Sequence, residues 1–109
     1  MTFNNYQKES RKTAVYKDQG NNYIYPLLGL AGETGEVVEK FKKMIRNNDG
    51  VMTNEIRDSI KKELGDVLWY MAQIATEINV DLDDIAATNI EKLKSRAERG
   101  VLKSSGDDR

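Results

Sequence analysis

Apolar residues along this chain recur at steps of three and four, the spacing of one face of an α-helix. The repeat is cleanest over Ile60, Leu64, Val67, Met71, Ile74 and Ile78. It predicts a helix from about Asn54 to Ile78 with Thr53 as its N-cap and those residues inward. Upstream, Leu27, Leu28, Leu30, Ala31, Val37, Val38, Phe41 and Ile45 predict a helix from about Tyr23 to Arg46. Pro26 falls in its first turn, where a missing N–H is tolerated. Asn47-Asn-Asp-Gly50 is a turn signal between the two. A first helix is predicted over about Thr2 to Val15, with Phe3, Tyr6 and Ala14 inward, followed by a loop at Lys17 to Asn22. After a break at Asn79-Val80, Asp81 is placed to cap a fourth helix, with Asp84 at the capping-box position. That helix would turn Leu82, Ile85, Ile90, Leu93 and Ala97 inward and end near Gly100. The predicted fold is all-α, an antiparallel bundle of about four helices. Residues 1–100 read as one domain and residues 101–109 as a polar tail.

Composition narrows the chemistry. The chain has 109 residues, 39% of them hydrophobic, which suffices for a thin core, so self-association is an expected source of stability. The net charge of −1, with cations dispersed, gives no footprint for a nucleic-acid polymer. With no cysteine there are no disulfides, thiolate nucleophiles or zinc–thiolate sites. With no histidine, the commonest general base and transition-metal ligand are also missing. No apolar run reaches the ~18 residues of a membrane span and no signal-peptide pattern is evident, so a cytoplasmic protein without a membrane partner is expected.

Two carboxylate pairs stand out against this background. Glu33 and Glu36 are three residues apart in the second helix, and Glu63 and Asp66 are three apart in the third. Three residues on a helix subtend roughly 60° and rise about 4.5 Å, so each pair shares a face. Both pairs interrupt apolar repeats, where an ionised carboxylate is costly unless it is paired or binds a metal. Antiparallel packing of the two helices would gather all four acids, and a shared hard cation would relieve their repulsion. Magnesium suits such an all-oxygen donor set, with manganese as a substitute. Gly29, Gly32, Gly35 and Gly65 lie in the same stretches, each costing about 1 kcal/mol relative to alanine within a helix. They point to close packing beside a ligand site, or to close helix packing alone.

Catalysis without histidine falls to carboxylates, and the candidates are Glu36, Glu39 and Glu63. Glu39 could act as general base, but it is rotated about 120° from Glu33 and a solvated role is equally open. Lys40, Lys43 and Arg46 are placed either to reach phosphates or simply to complement a helix C-terminus. Trp69 and Tyr70 fit a core or an oligomer interface, or the face of a base.

The string Leu30-Ala-Gly-Glu-Thr-Gly-Glu36, followed by Lys62-Glu-Leu-Gly-Asp-Val-Leu68, resembles the MazG-type all-α nucleoside triphosphate pyrophosphohydrolases. The resemblance extends over about Tyr6 to Arg99. It implies that Glu33, Glu36, Glu63 and Asp66 hold magnesium. The implied reaction cleaves between the α- and β-phosphates, giving a nucleoside monophosphate and pyrophosphate. Asn89, Lys92 and Arg96 resemble the family's Asn-x-x-Lys-x-x-x-Arg element, which faces the phosphates. Their spacing puts them on one helical face, and an arginine can grip phosphate bidentately. Many relatives carry an aromatic–proline pair after that arginine, where this chain has Ala97-Glu98. The resemblance also implies a homodimer or homotetramer. The polar tail, Ser104 to Arg109, could close over a bound nucleotide or remain unstructured. The rival reading is a non-catalytic nucleotide-binding or helical interaction protein of the same fold.

Overall fold

The structure is a computed structural model that describes residues 1–103 and 106–107. Its four helices are α1 (Phe3–Arg11), α2 (Ile24–Asn47), α3 (Asn54–Glu77) and α4 (Leu82–Glu98), and no strand occurs among the described residues. The all-α reading of the sequence is therefore correct. Helices α2 and α3 form a long antiparallel hairpin, α1 packs on α3, and α4 is attached chiefly through α1.

Local chemistry sets most helix ends. Thr2 caps α1 by accepting a hydrogen bond from Asn5 N, and Thr53 caps α3 by accepting one from Ile56 N. Helix α1 is shorter than the sequence predicts. Successive tight turns, Thr13 N to Ser10 O and Ala14 N to Arg11 O, unwind it after Arg11, and the Thr13 hydroxyl also donates to Ser10 O. Asn79, in the left-handed region at φ 61°, closes α3, with Val80 N donating to Ala75 O and Asn79 N to Thr76 O.

The start of α4 corrects the capping-box expectation. Asp81 makes no side-chain cap and the first two N–H groups of α4 are taken by α1 instead. Leu82 N donates to Gln7 Oε1 (2.8 Å) and Asp83 N donates to Asn4 Oδ1 (3.1 Å). Gln7 is buried, and its amide nitrogen also donates to Thr76 Oγ1 and Val80 O. Side chains of α1 thus fix where α4 leaves α3, satisfying donors that would otherwise be orphaned.

The core of one chain is small and partly polar. Ala72, Ala75 and Leu82 form its apolar centre, with Tyr6 packed against it. Gln73 is fully buried, donating to Ser10 Oγ and accepting from Arg11. Several residues predicted to face inward are exposed, as are several apolar residues of α2. Phe3, Leu27, Leu28, Val38, Phe41, Ile45, Leu64, Met71, Ile78, Ile85, Ile90, Leu93 and Ala97 are all exposed, with Leu28 and Ile45 at 67% and 64%. The helical period is correct, but much of the apolar stripe has no cover within one chain. The radius of gyration, 16.9 Å, exceeds the ~13 Å of a compact domain of this length, in keeping with open faces.

Candidate metal centre

The α2–α3 hairpin carries the acids. Glu33, Glu63 and Asp66 each present a carboxylate oxygen within 4.8 Å of the others. Glu36 is exposed on the next turn of α2 and lies outside this trio, so three of the four nominated acids converge and the fourth flanks them. Glu33 is half-buried, and desolvation pushes its carboxyl above the usual range. A hydrogen bond with Glu63 and the charges of Asp66, Glu63 and Glu36 push the same way. Among the described residues, no lysine or arginine forms an ion pair with any of these four acids. Acidic oxygens this close, with their repulsion unrelieved, suit a hard divalent cation such as magnesium.

Two tyrosines border the trio. Tyr70, next in α3, lies against Gly29, and a Cβ on that glycine would fall inside the Tyr70 ring. Desolvation raises the Tyr70 hydroxyl, helped by Tyr25, Glu33 and Asp66. Tyr6, reaching over from α1, is raised by burial and then by Asp66. Gly29 therefore sets the approach of α2 to α3 one turn before Glu33. Gly32, Gly35 and Gly65 behave differently, because a Cβ at any of them would meet nothing within 4 Å. Close helix packing explains Gly29 alone. The other three leave open space beside the acids.

The remaining nominated residues are dispersed. Glu39 pairs with Lys42 at 3.2 Å, and Lys43 is exposed near the end of α2. Trp69 donates its indole N–H to Thr13 Oγ1 and meets Tyr70 edge-on, so it joins α3 to the end of α1. On α4, Asn89 and Lys92 line a shallow cavity of about 390 Å³ with Val80, Asp84, Ile85 and Thr88. Arg96 is buried, and both it and Lys92 are engaged by Asp107 from the C-terminal segment. The expected tail covers Ser104 to Arg109, of which residues 104, 105, 108 and 109 lie outside the described residues.

The sequence reading passed over Glu77, whose side chain is fully buried. It accepts from Tyr16 Oη (2.6 Å), Asn22 N (2.7 Å), Arg11 Nη2 (2.8 Å) and Gly20 N (2.9 Å). Burial alone would raise its carboxyl, but the hydrogen bonds from Tyr16, Asn22, Gly20 and Arg11 outweigh that and hold it at about 2. Glu77 fastens the loop before α2 to the end of α3. Tyr16 carries the connection onward by stacking on Tyr25, ring centres 5.0 Å apart. No local sequence signal separates Glu77 from an ordinary helix-end acid.

The fold and site together define an all-α hairpin whose carboxylate trio could hold a divalent cation. The chain matches the MazG nucleotide pyrophosphohydrolase domain over residues 24–101, which takes in α2, α3 and α4, and it belongs to that family. It is also similar to the "Gene 37 protein" of Mycobacterium phage L5, 44% identical over 109 residues, covering 95% of this chain and 96% of the phage protein. That name states no activity. No solved structure matches the chain.

Proposed function

We propose that the protein hydrolyses a ribo- or deoxyribonucleoside triphosphate to the monophosphate and pyrophosphate, with magnesium held by Glu33, Glu63 and Asp66. The observation that carries this reading is the trio of carboxylates within 4.8 Å, in a chain that belongs to a pyrophosphohydrolase family. Bound there, magnesium would neutralise the acids and polarise phosphate and water oxygens. Glu36 completes the donor set or takes the proton of the attacking water from its exposed position beside the trio. Water oxygen bonds to the α-phosphorus, the bond from that phosphorus to the bridging oxygen breaks, and pyrophosphate leaves with the electron pair. Lys92 and Arg96 receive phosphate oxygens and offset charge on the leaving group, with Asn89 beside them on the same helix. Glu39, tied to Lys42, and the exposed Lys43 are assigned outer roles, in water positioning and phosphate attraction. Removal of unwanted nucleotides is the role that fits such a reaction.

We also propose that the working form is a homodimer or homotetramer. The extents of 44 × 40 × 26 Å and the exposed apolar residues of α2, such as Leu28, Val38 and Ile45, support a second copy as the cover for these faces. Sedimentation at micromolar concentration should show no significant monomer.

The test of activity is product-resolved hydrolysis of each common ribo- and deoxyribonucleoside triphosphate, with magnesium and after chelation. Monophosphate plus pyrophosphate, lost on chelation, is expected. Glu63→Gln or Asp66→Asn should lower turnover by about 10²-fold or more with the helical circular dichroism retained, since metal-based charge stabilisation is worth several kcal/mol. A double variant with full activity would sink the assignment.

A further inference from the structure

Gly106 and Asp107 lie against α4 and engage the two cations just assigned to the phosphates. Gly100, in the left-handed region at φ 72°, ends α4, with Gly100 N donating to Ala97 O and Val101 N to the carbonyl of Arg96 itself. The chain thereby reverses. Gly106, also left-handed at φ 93°, lets two successive carbonyls face one guanidinium. Arg96 Nη2 donates to Gly106 O (3.2 Å), to Asp107 O (2.9 Å) and to Asp107 Oδ1 (3.1 Å). Lys92 Nζ donates to that same Oδ1 at 3.0 Å. One oxygen thus bridges both cations, an arrangement a phosphate oxygen would adopt equally well.

Two further observations separate this contact from an ordinary surface ion pair. The first is the asymmetry of exposure. The Arg96 side chain is only 4% exposed while Asp107 is 81% exposed, so the cation is enclosed and its partner is the outer, displaceable part. The second is that Arg96 Nε is buried with no hydrogen-bond partner. A guanidinium binds oxyanions best through paired N–H groups, and Asp107 uses only Nη2. A phosphate, with more oxygens than one carboxylate, can satisfy the donor that Asp107 leaves unused.

We propose that Gly106 and Asp107 are an internal competitor for the nucleotide's phosphates, occupying the Lys92–Arg96 pair until a polyphosphate displaces them. The inference rests on the reading of Lys92 and Arg96 as phosphate receptors and adds a built-in control on their access. Because the competitor is tethered, it acts at a high effective concentration and raises the apparent constant for every polyphosphate ligand, substrate and product alike.

The experiment measures binding of inorganic triphosphate in magnesium by calorimetry, together with KM for nucleotide hydrolysis, for the full chain and for Asp107→Asn, Lys92→Gln and the double variant. Asp107→Asn should tighten triphosphate binding and lower KM by about three- to tenfold, the scale of one or two solvent-facing ion pairs. Lys92→Gln should weaken both. Unchanged or weaker binding in Asp107→Asn overturns the competitor, and weaker binding would mark the segment as a clamp over bound ligand. If Lys92→Gln also leaves triphosphate affinity unchanged, the phosphate-receptor reading fails as well, and the two failures are told apart.

Discussion

Glu77, at the end of α3, and Glu33, midway along α2, are both drawn away from water but are handled in opposite ways. Glu77 has four donors and no acidic neighbour among its partners, and its carboxyl is held at about 2. Glu33 is surrounded by Glu63, Asp66 and Glu36, and its carboxyl is pushed up. A protein that needed Glu33 only for structure could supply donors, as it does for Glu77. Without them the repulsion among the acids stands unrelieved in the free chain. On the proposed function, the contrast separates a carboxylate that completes the fold from one reserved for a bound cation.

The largest stability effect should come from Glu77. Its removal takes from Arg11 its ion-pair partner and from the loop N–H groups of Gly20 and Asn22 their acceptor, and breaking a buried charge pair costs about 3–5 kcal/mol. Urea denaturation of Glu77→Ala should show a loss of that size, and a loss below about 1 kcal/mol would mean the network is dispensable. Acid should reproduce the effect in the native chain. Because the folded carboxyl titrates near 2, below its ordinary 4.5, its stabilisation is complete above about pH 4.5 and disappears as pH falls through 2. The amount at stake is about 3 kcal/mol. In Glu77→Gln this acid limb should flatten. An unchanged limb would place acid sensitivity elsewhere.

The glycines sharpen the comparison at a smaller scale. Gly29→Ala must displace the Tyr70 ring, which is flanked by Tyr25 and Trp69, so a cost of about 1–3 kcal/mol is expected. Gly32→Ala meets nothing within 4 Å and should stabilise the free chain by about 0.5–1 kcal/mol through helix propensity. Thermal melts of the two variants should move in opposite directions. If Gly32→Ala also weakens nucleotide or magnesium binding, the open space beside Glu33 is where the ligand lies.

What could be read from the sequence follows the range of the interactions. Thr53, the turn at Asn47 to Gly50 and the long α2 and α3 rest on near neighbours, and the structure agrees within a residue or two. The approach of Glu33 to Glu63 and Asp66 was readable because helical period and an antiparallel turn define it. The cap on α4 was not, because Gln7 and Asn4 come from more than 70 residues away and displace the local choice, Asp81. Glu77 was hidden for the same reason: its partners come from residues 11 to 22. Leu28, Val38 and Ile45 keep the helical period read from the sequence, but one chain cannot cover them all.

The smallest effect tests the comparison most directly, because its sign is unusual. Glu33→Gln removes a charge that its neighbours disfavour, so in chelator the variant should be more stable than the native chain by about 0.5 kcal/mol, the scale of like-charge repulsion between helical neighbours. With magnesium the order should reverse, because only the native trio gains the full stabilisation of a bound ion. The check is a pair of thermal melts, one in chelator and one in millimolar magnesium, with turnover measured on the same samples. A variant that is less stable in both, with activity retained, would make Glu33 a structural acid like Glu77. A variant stabilised in chelator, insensitive to magnesium and without turnover would show that its stability had been given up for binding.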